Sequence, residues 1–205
     1  IRLKKTTKVG WNGGVNLSMG QGRYNRSINS LNFNYKVNKL NFFTNVSYNN
    51  INTFQDLTIK RFYFTPNTQI QNSSFIQNSY IKKEIQSTNV KIGVDYNLTK
   101  KSVLGILWSG MYNPSDINTT NSAFITDANN QISNYVLAYT PTFRTLNNFN
   151  YNINYAYKID SLGKELTANV DYITYGSKMN QSLFNELQNA QKEPLSKSTL
   201  VSQLP

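Results

Sequence analysis

A chain of 205 residues with no cysteine and no histidine cannot hold a disulfide framework, a zinc site, a cysteine nucleophile or a histidine-based triad within these residues. Only 15% of the residues are charged, against roughly 25% in ordinary soluble domains, yet 13% are aromatic, with 14 Tyr and 11 Phe; this argues against a disordered chain and is unusual for a soluble globule. The net charge of +11 raises the question of a nucleic-acid partner, but no nucleic acid is expected: the cations are scattered, their densest group (Arg2, Lys4, Lys5, Lys8) is one short segment, and no basic stripe interleaved with base-stacking aromatics occurs.

In chain order, Ile1 to Thr6 reads as a short alternating strand ending in a basic cluster. Gly10, Gly13 and Gly14 loosen the backbone around Trp11, after which Val15, Leu17 and Met19 open a strand that a Gly-rich loop, Gly20 to Asn25, reverses. The return strand, from about Arg26 to Val37, places Leu31, Phe33, Tyr35 and Val37 on one face, and Asn38-Lys39 is a two-residue hairpin reversal. The next strand starts at Leu40 with Phe42, Val46 and Tyr48 on one face and Asn41, Asn45, Ser47 and Asn49 on the other; it can extend to Phe64. Pro66 to Gln77 reads as a loop rich in Asn, Gln and Ser.

The clearest pattern lies in the middle of the chain. Val90, Ile92, Val94, Tyr96 and Leu98 alternate with Lys91, Gly93, Asp95 and Asn97, and after a polar turn, Thr99 to Ser102, the residues Leu104, Ile106, Trp108 and Tyr112 share one face. Alternation of period two means two strands, each with an apolar and a wet face, joined as an antiparallel hairpin. A long polar loop is expected from Asn113 to about Gln131. A strand from about Tyr135 to Tyr157 follows, with Phe149, Tyr151, Ile153, Tyr155 and Tyr157 opposite Asn148, Asn150, Asn152 and Asn154. Asp160 to Lys164 turns the chain into a strand with Leu166, Ala168, Val170 and Tyr172 on one face and Thr167, Asn169 and Asp171 on the other. Beyond Gly176 the chain reads as irregular, with a short helix near Ser182 to Ala190 suggested by the spacing of Leu183, Leu187 and Ala190.

The expected fold is therefore all-β: an antiparallel meander of about seven long strands, an open curved sheet forming part of a large transmembrane β-barrel. No run of about 18 apolar residues occurs, which rules out a transmembrane helix but not a barrel. Uncharged polar residues on one face and aromatics on the other suit a barrel wall in lipid, and the expected turns alternate between short and long, as at the periplasmic and outer sides of such a barrel. Tyr35, Phe42, Tyr96, Tyr155 and Tyr157 stand beside the short turns, where a membrane-interface girdle belongs. Val90, Ile92, Val94, Leu104, Ile106 and Trp108 are expected to face lipid, and Lys91, Asp95, Asn97, Asn169 and Asp171 the lumen. No segment reads as a signal peptide, and the chain reads as an internal piece of a longer protein.

Bland readings account for the remaining features. Trp108 fits a lipid-facing or girdle residue better than a ligand contact, and Lys91, Asp95 and Asp171 fit solvated charges, since nothing in the sequence pairs them. Asp127-Ala-Asn129 lacks the glycine and terminal glutamate of a calcium loop. The glycines from Gly10 to Gly22 open no helix after a buried strand and so do not make a phosphate loop. Asn-x-Ser/Thr triplets such as Asn45-Val-Ser47 and Asn97-Leu-Thr99 are expected by chance in so Asn-rich a chain.

Several phrases resemble one group of outer-membrane β-barrel proteins that belongs with the TonB-dependent receptors. They are I-R-L-K-K-T at the start, G-W-N-G-G-x-N-L-S-x-G-x-G from Gly10 to Gly22, L-N-F-N-Y-K from Leu31, D-Y-N-L-T-K-K-S-x-L-G from Asp95 and G-K-E-L-T-A-N-V-D-Y from Gly163. The resemblance implies a plug lodged in a 22-stranded barrel that imports a solute with energy drawn through TonB. Residues 1–10 would then be the end of the plug or the plug-to-barrel junction, and 11–205 the N-terminal part of the barrel, with Trp11 to Tyr175 supplying its first strands. The partners expected are outer-membrane lipid, the remainder of the barrel and plug, a surface lipoprotein and, from the resemblance alone, the TonB complex, in the outer membrane of a Gram-negative cell. No cofactor, metal or catalytic residue is expected, and an enzyme is disfavoured because the loops hold few catalytic groups. The alternative is a non-transport outer-membrane or surface β-protein, an adhesin or structural binding module, whose strands pack as a soluble sandwich.

Overall fold

The computed structural model describes residues 9–160 and 163–204. These form eight strands: β1 (Gly10–Gln21), β2 (Asn25–Val37), β3 (Leu40–Phe64), β4 (Gln71–Tyr96), β5 (Ser102–Thr126), β6 (Ile132–Lys158), β7 (Glu165–Asn189) and β8 (Pro194–Leu204). All eight belong to one sheet in the order of the sequence, so each strand pairs with its chain neighbours and no connection crosses over. The meander is not closed among the described residues: β1 pairs only with β2, and β8 only with β7. The all-β antiparallel expectation holds. The segment Ile1 to Thr6, and all of the plug-junction segment except residues 9 and 10, lie outside the described residues.

Register follows the apolar alternation, because a slip by one residue would carry every apolar side chain to the other face. Val15 sits opposite Leu31 and Leu31 opposite Val46; Trp11 is opposite Tyr35, and Tyr35 opposite Phe42. The reversals use short polar chemistry. Asn38, Asn67 and Asn130 take the left-handed backbone with φ of 50°, 62° and 61°, a conformation that asparagine tolerates better than most residues. Asp127 Oδ1 accepts the amides of Asn129 and Gln131, both at 2.9 Å, and Asn189 Oδ1 accepts those of Gln191 and Glu193 at 3.0 and 2.9 Å. These two turns are built alike, by a side chain replacing a backbone acceptor.

Three expected irregular stretches are instead strand. The loop expected at Pro66 to Gln77 contracts to the reversal before β4, which begins at Gln71; the one expected from Asn113 contracts to the Asp127 turn, because β5 runs on to Thr126. The helix expected near Ser182 to Ala190 does not form: β7 extends through Asn189 and an eighth strand follows. A separation of four, as between Leu183 and Leu187, is one helical turn but also two strand repeats, so it points to one face in either structure. The expected alternation of short and long turns is not observed, since the connections at both ends of the described strands are short.

Contacts divide the chain into two units. Unit one comprises Ile1–Ile51, Gln86–Asn113 and Leu146–Gly176; unit two comprises Asn52–Ile85, Pro114–Thr145 and Ser177–Pro205. Each of β3 to β7, 25 to 27 residues long, contributes to both. Among the described residues Ala123 is the only buried hydrophobic residue, and no large side chain is fully buried. A single sheet layer has nowhere to bury a face, so its stability without a covering layer comes from the backbone ladder and cross-strand pairs.

Candidate functional site

The two faces of unit one differ chemically. One carries Trp11, Val15, Leu17 and Met19 of β1, which are 74%, 66%, 76% and 87% exposed, and, further along the meander, Ile106 and Val170. Of the side chains expected to face lipid, Ile92 and Ile106 are exposed, while Val90, Val94, Leu104 and Trp108 are half-covered by their neighbours. The Trp108 ring stacks on Phe149 with centroids 6.3 Å apart, and both rings lie over Gly110, where an added Cβ would come within 3.0 Å of each. Tyr151 and Tyr172 meet at 6.2 Å on the next pair of strands. All of these are cross-strand contacts on a sheet surface.

The expected girdle residues stand at one end of this face. Tyr35 pairs with Phe42 two residues from the Asn38 turn, and Trp11, opposite Tyr35, extends the row by one strand. Tyr96 ends β4, and Tyr155 and Tyr157 lie at the end of β6. Sequence reading placed Trp11 in a Gly-loosened segment, because Gly10, Gly13 and Gly14 hide the alternation; of the three, the sheet requires Gly13, which comes so close to Asn32 that a Cβ would lie 2.6 Å from its carbonyl oxygen.

The opposite face is an amide-rich surface. Asn41 Nδ2 donates to Asp95 Oδ2 at 3.3 Å, and Asn152 Nδ2 to Asp171 Oδ1 at 2.9 Å, so two charges that the sequence left unpaired each have an amide partner on the adjacent strand. Asn154 bonds Asn152 and lies directly over Gly105. Phe43 covers Gly93 so closely that a Cβ there would overlap its ring. Sequence reading passed over Phe43 because it interrupts the polar alternation; the one available sign was a glycine facing it from the neighbouring strand, an arrangement in which an aromatic shields a glycine. Lys91 lines a recess of about 270 Å³ with Asn45, Asn89, Ser109, Met111 and Asn148, and has no partner among the described residues. Asn169 is exposed. Asn97, expected beside Asp95 on this face, lies just past the end of β4 and directs its amide Nδ2 to the backbone oxygen of Lys39 at 2.9 Å, so it fastens a turn.

Unit two shows no comparable separation. Tyr139 stacks on Phe184 at 6.3 Å, but the surroundings are polar: the Tyr139 hydroxyl donates to Asn118 at 2.9 Å, and Glu186 pairs with Lys197 at 3.2 Å. A recess of about 380 Å³ is lined by Tyr139, Phe184, Glu186 and Lys197 with Thr120 and Thr199. Hydrogen bonds from Gln188 and from the Lys197 ammonium hold the Glu186 carboxyl below the ordinary glutamate range. Lys82 and Glu84 form a second ion pair on one strand face. The buried hydroxyls Ser74 and Thr126 bond each other at 2.6 Å across strands, buried Thr142 accepts Gln181 Nε2 at 3.1 Å, and buried Ser79 accepts Gln77 Nε2 of its own strand at 2.8 Å.

Among the described residues no three acidic, His or Cys side chains gather to hold a metal, and Asp127 is occupied in capping its own turn. No helix of the described residues is long and apolar enough to cross a membrane, which leaves crossing by strands open. The chain matches no protein-family model and no curated protein.

Proposed function

We propose that this chain forms part of the wall of an outer-membrane β-barrel of the TonB-dependent receptor kind, importing a solute past a plug. The observation that carries the membrane half is the exposed apolar face of unit one, set against an amide and carboxylate face on the same strands, in a sheet for which the described residues supply no second layer and no large buried side chain. Lipid would cover the first face and water in a lumen would wet the second. Unit one takes about a dozen residues from each long strand, and a tilted strand needs only about 9–11 to cross the hydrocarbon. Among the described residues β1 and β8 each leave one edge unpaired, which suits a wall completed by further strands, since an open edge invites association. Tyr35, Phe42, Tyr96, Tyr155 and Tyr157, with Trp11, would sit at the interface, and Lys91, Asp95, Asn169 and Asp171 in the lumen.

The transport half rests on the resemblance of the Gly10 to Gly22, Asp95 to Gly105 and Gly163 to Tyr172 phrases, which implies a plug, TonB coupling and a surface partner. The amide-lined recess beside Lys91 would be wall contacting the plug or a passing solute. No chemistry is assigned to these residues.

Partition tests the membrane half. The protein should stay with the membrane until detergent extracts it, and a lipid-borne photoreagent should label the strands at Ile106 and Val170 in preference to Asn152 and Asp171. If residues 1–205 instead fold without detergent as a soluble monomer with Val90, Ile92, Val94 and Tyr96 shielded, the non-transport sandwich takes its place. For the transport half, cells lacking the protein should lose uptake of a solute whose import collapses with the inner-membrane proton gradient.

A further inference from the structure

Five exposed lysines gather where the apolar face of unit one ends: Lys39, Lys100, Lys101, Lys158 and Lys164. Their turns are tied together. Lys39 Nζ donates to the Leu98 oxygen and Lys101 Nζ to the Ile159 oxygen, each at 3.3 Å, while the amides of Asn97 and Lys158 donate to the oxygens of Lys39 and Lys101, each at 2.8 Å. This repeated tie holds the three turns side by side and brings their cations to one end of the sheet. Three carboxylates share this end, Asp95 bonded to Asn41, Asp160 accepting the Lys164 backbone amide and Glu165 at the start of β7, so five cations stand against three anions, and none of the five ammonium groups forms an ion pair among the described residues. Exposed apolar groups adjoin them directly, with Leu40, Tyr96, Leu98, Tyr157 and Ile159 at 36–51% exposure.

We propose that this lysine row binds the phosphates of anionic phospholipids in the leaflet that the turn end meets. The inference rests on the membrane reading above. A surface that is apolar up to a row of tyrosines and cationic immediately beyond it complements a molecule that is itself apolar and then anionic, in that order; a soluble polyanion would satisfy the lysines and leave the apolar rows uncovered. Lysine stems run along apolar surface while the ammonium reaches the headgroup layer, tyrosines occupy the same depth, and each cation near an anionic lipid surface contributes roughly a fivefold preference.

Trp11, in the row of Tyr35 and Phe42, is a built-in reporter. The intact protein carrying Trp108→Phe would be reconstituted in phosphatidylcholine vesicles containing either brominated phosphatidylglycerol or brominated phosphatidylcholine, and quenching of Trp11 compared. The expected result is a several-fold preference for phosphatidylglycerol at low salt. It should fall toward unity at high salt and when all five lysines are changed to Gln, and be retained when all five are changed to Arg. Quenching by brominated phosphatidylcholine should be the same in every variant, which shows that each is folded and inserted. Equal quenching by both lipids, or a preference unchanged by the Gln substitutions, overturns the inference and leaves the membrane reading standing. Quenching by neither removes both.

Discussion

Units one and two share the same long strands and the same kind of backbone ladder, yet they divide their side chains differently. In unit one the aliphatic and aromatic groups gather on one face, Asn, Asp and Gly on the other, and lysines at the turns. In unit two Lys82–Glu84 and Glu186–Lys197 lie on the sheet, serines and threonines bond in pairs, and aromatic contacts such as Tyr139–Phe184 sit among hydroxyls and amides. Backbone hydrogen bonding is indifferent to what covers a face, so the ladder sets the architecture and the side chains record the medium on each side. On the reading proposed above, unit one has lipid on one side, whereas unit two, with polar and apolar groups mixed on both faces, would meet water on both.

The largest effect should come from placing a charge on each unit in turn. With the protein in lipid vesicles, Ile106→Lys is expected to cost about 2–4 kcal/mol of unfolding free energy, and Thr120→Lys in unit two less than about 0.5 kcal/mol. Denaturant unfolding measures both, and equal costs would break the comparison. Next in size, Gly93→Val would drive a side chain into the Phe43 ring and should cost about 1–3 kcal/mol. Phe43→Ala should recover most of that loss in the double variant, a coupling that a remote substitution such as Ser198→Ala would not show.

The smallest expected effect is a pH dependence confined to unit two. The Glu186 carboxyl is depressed by Gln188 and Lys197 in the folded chain, so its contribution to stability is fully present above the ordinary glutamate value and is lost as pH falls through the folded one. Stability measured from near neutrality down to about pH 3 should therefore fall slightly less in Glu186→Gln than in the unaltered chain. The Glu186 side chain is 28% exposed and Lys197 70%, so solvent screens the pair, and a larger difference would mean that the pairing is less open to solvent than that.

How much was legible in the sequence follows the same division. Around Val90 to Tyr112 and Phe149 to Tyr172 the period-two contrast of apolar and polar residues fixed strands, faces and turns, because one face avoids water and the other does not. Asn113 to Thr126 and Gly176 to Asn189 carry no such contrast, so they read as loop or helix although they lie in strands as regular as the rest. A strand that mixes polar and apolar side chains on both faces shows no alternation.

The amino-acid sequence by itself thus determined that the chain is all-β, where unit one's turns fall, which residues share its apolar face and that no His or Cys chemistry is possible. Only the tertiary structure decided the eighth strand, the reach of β4, β5 and β7 beyond the apolar rows, the shielding of Gly93 by Phe43, the amide partners of Asp95 and Asp171, and the lysine ties between turns. The reason is range: alternation is written between neighbours in the chain, whereas each of these depends on a partner brought alongside by the ladder, as Lys39 meets Leu98 across 59 positions.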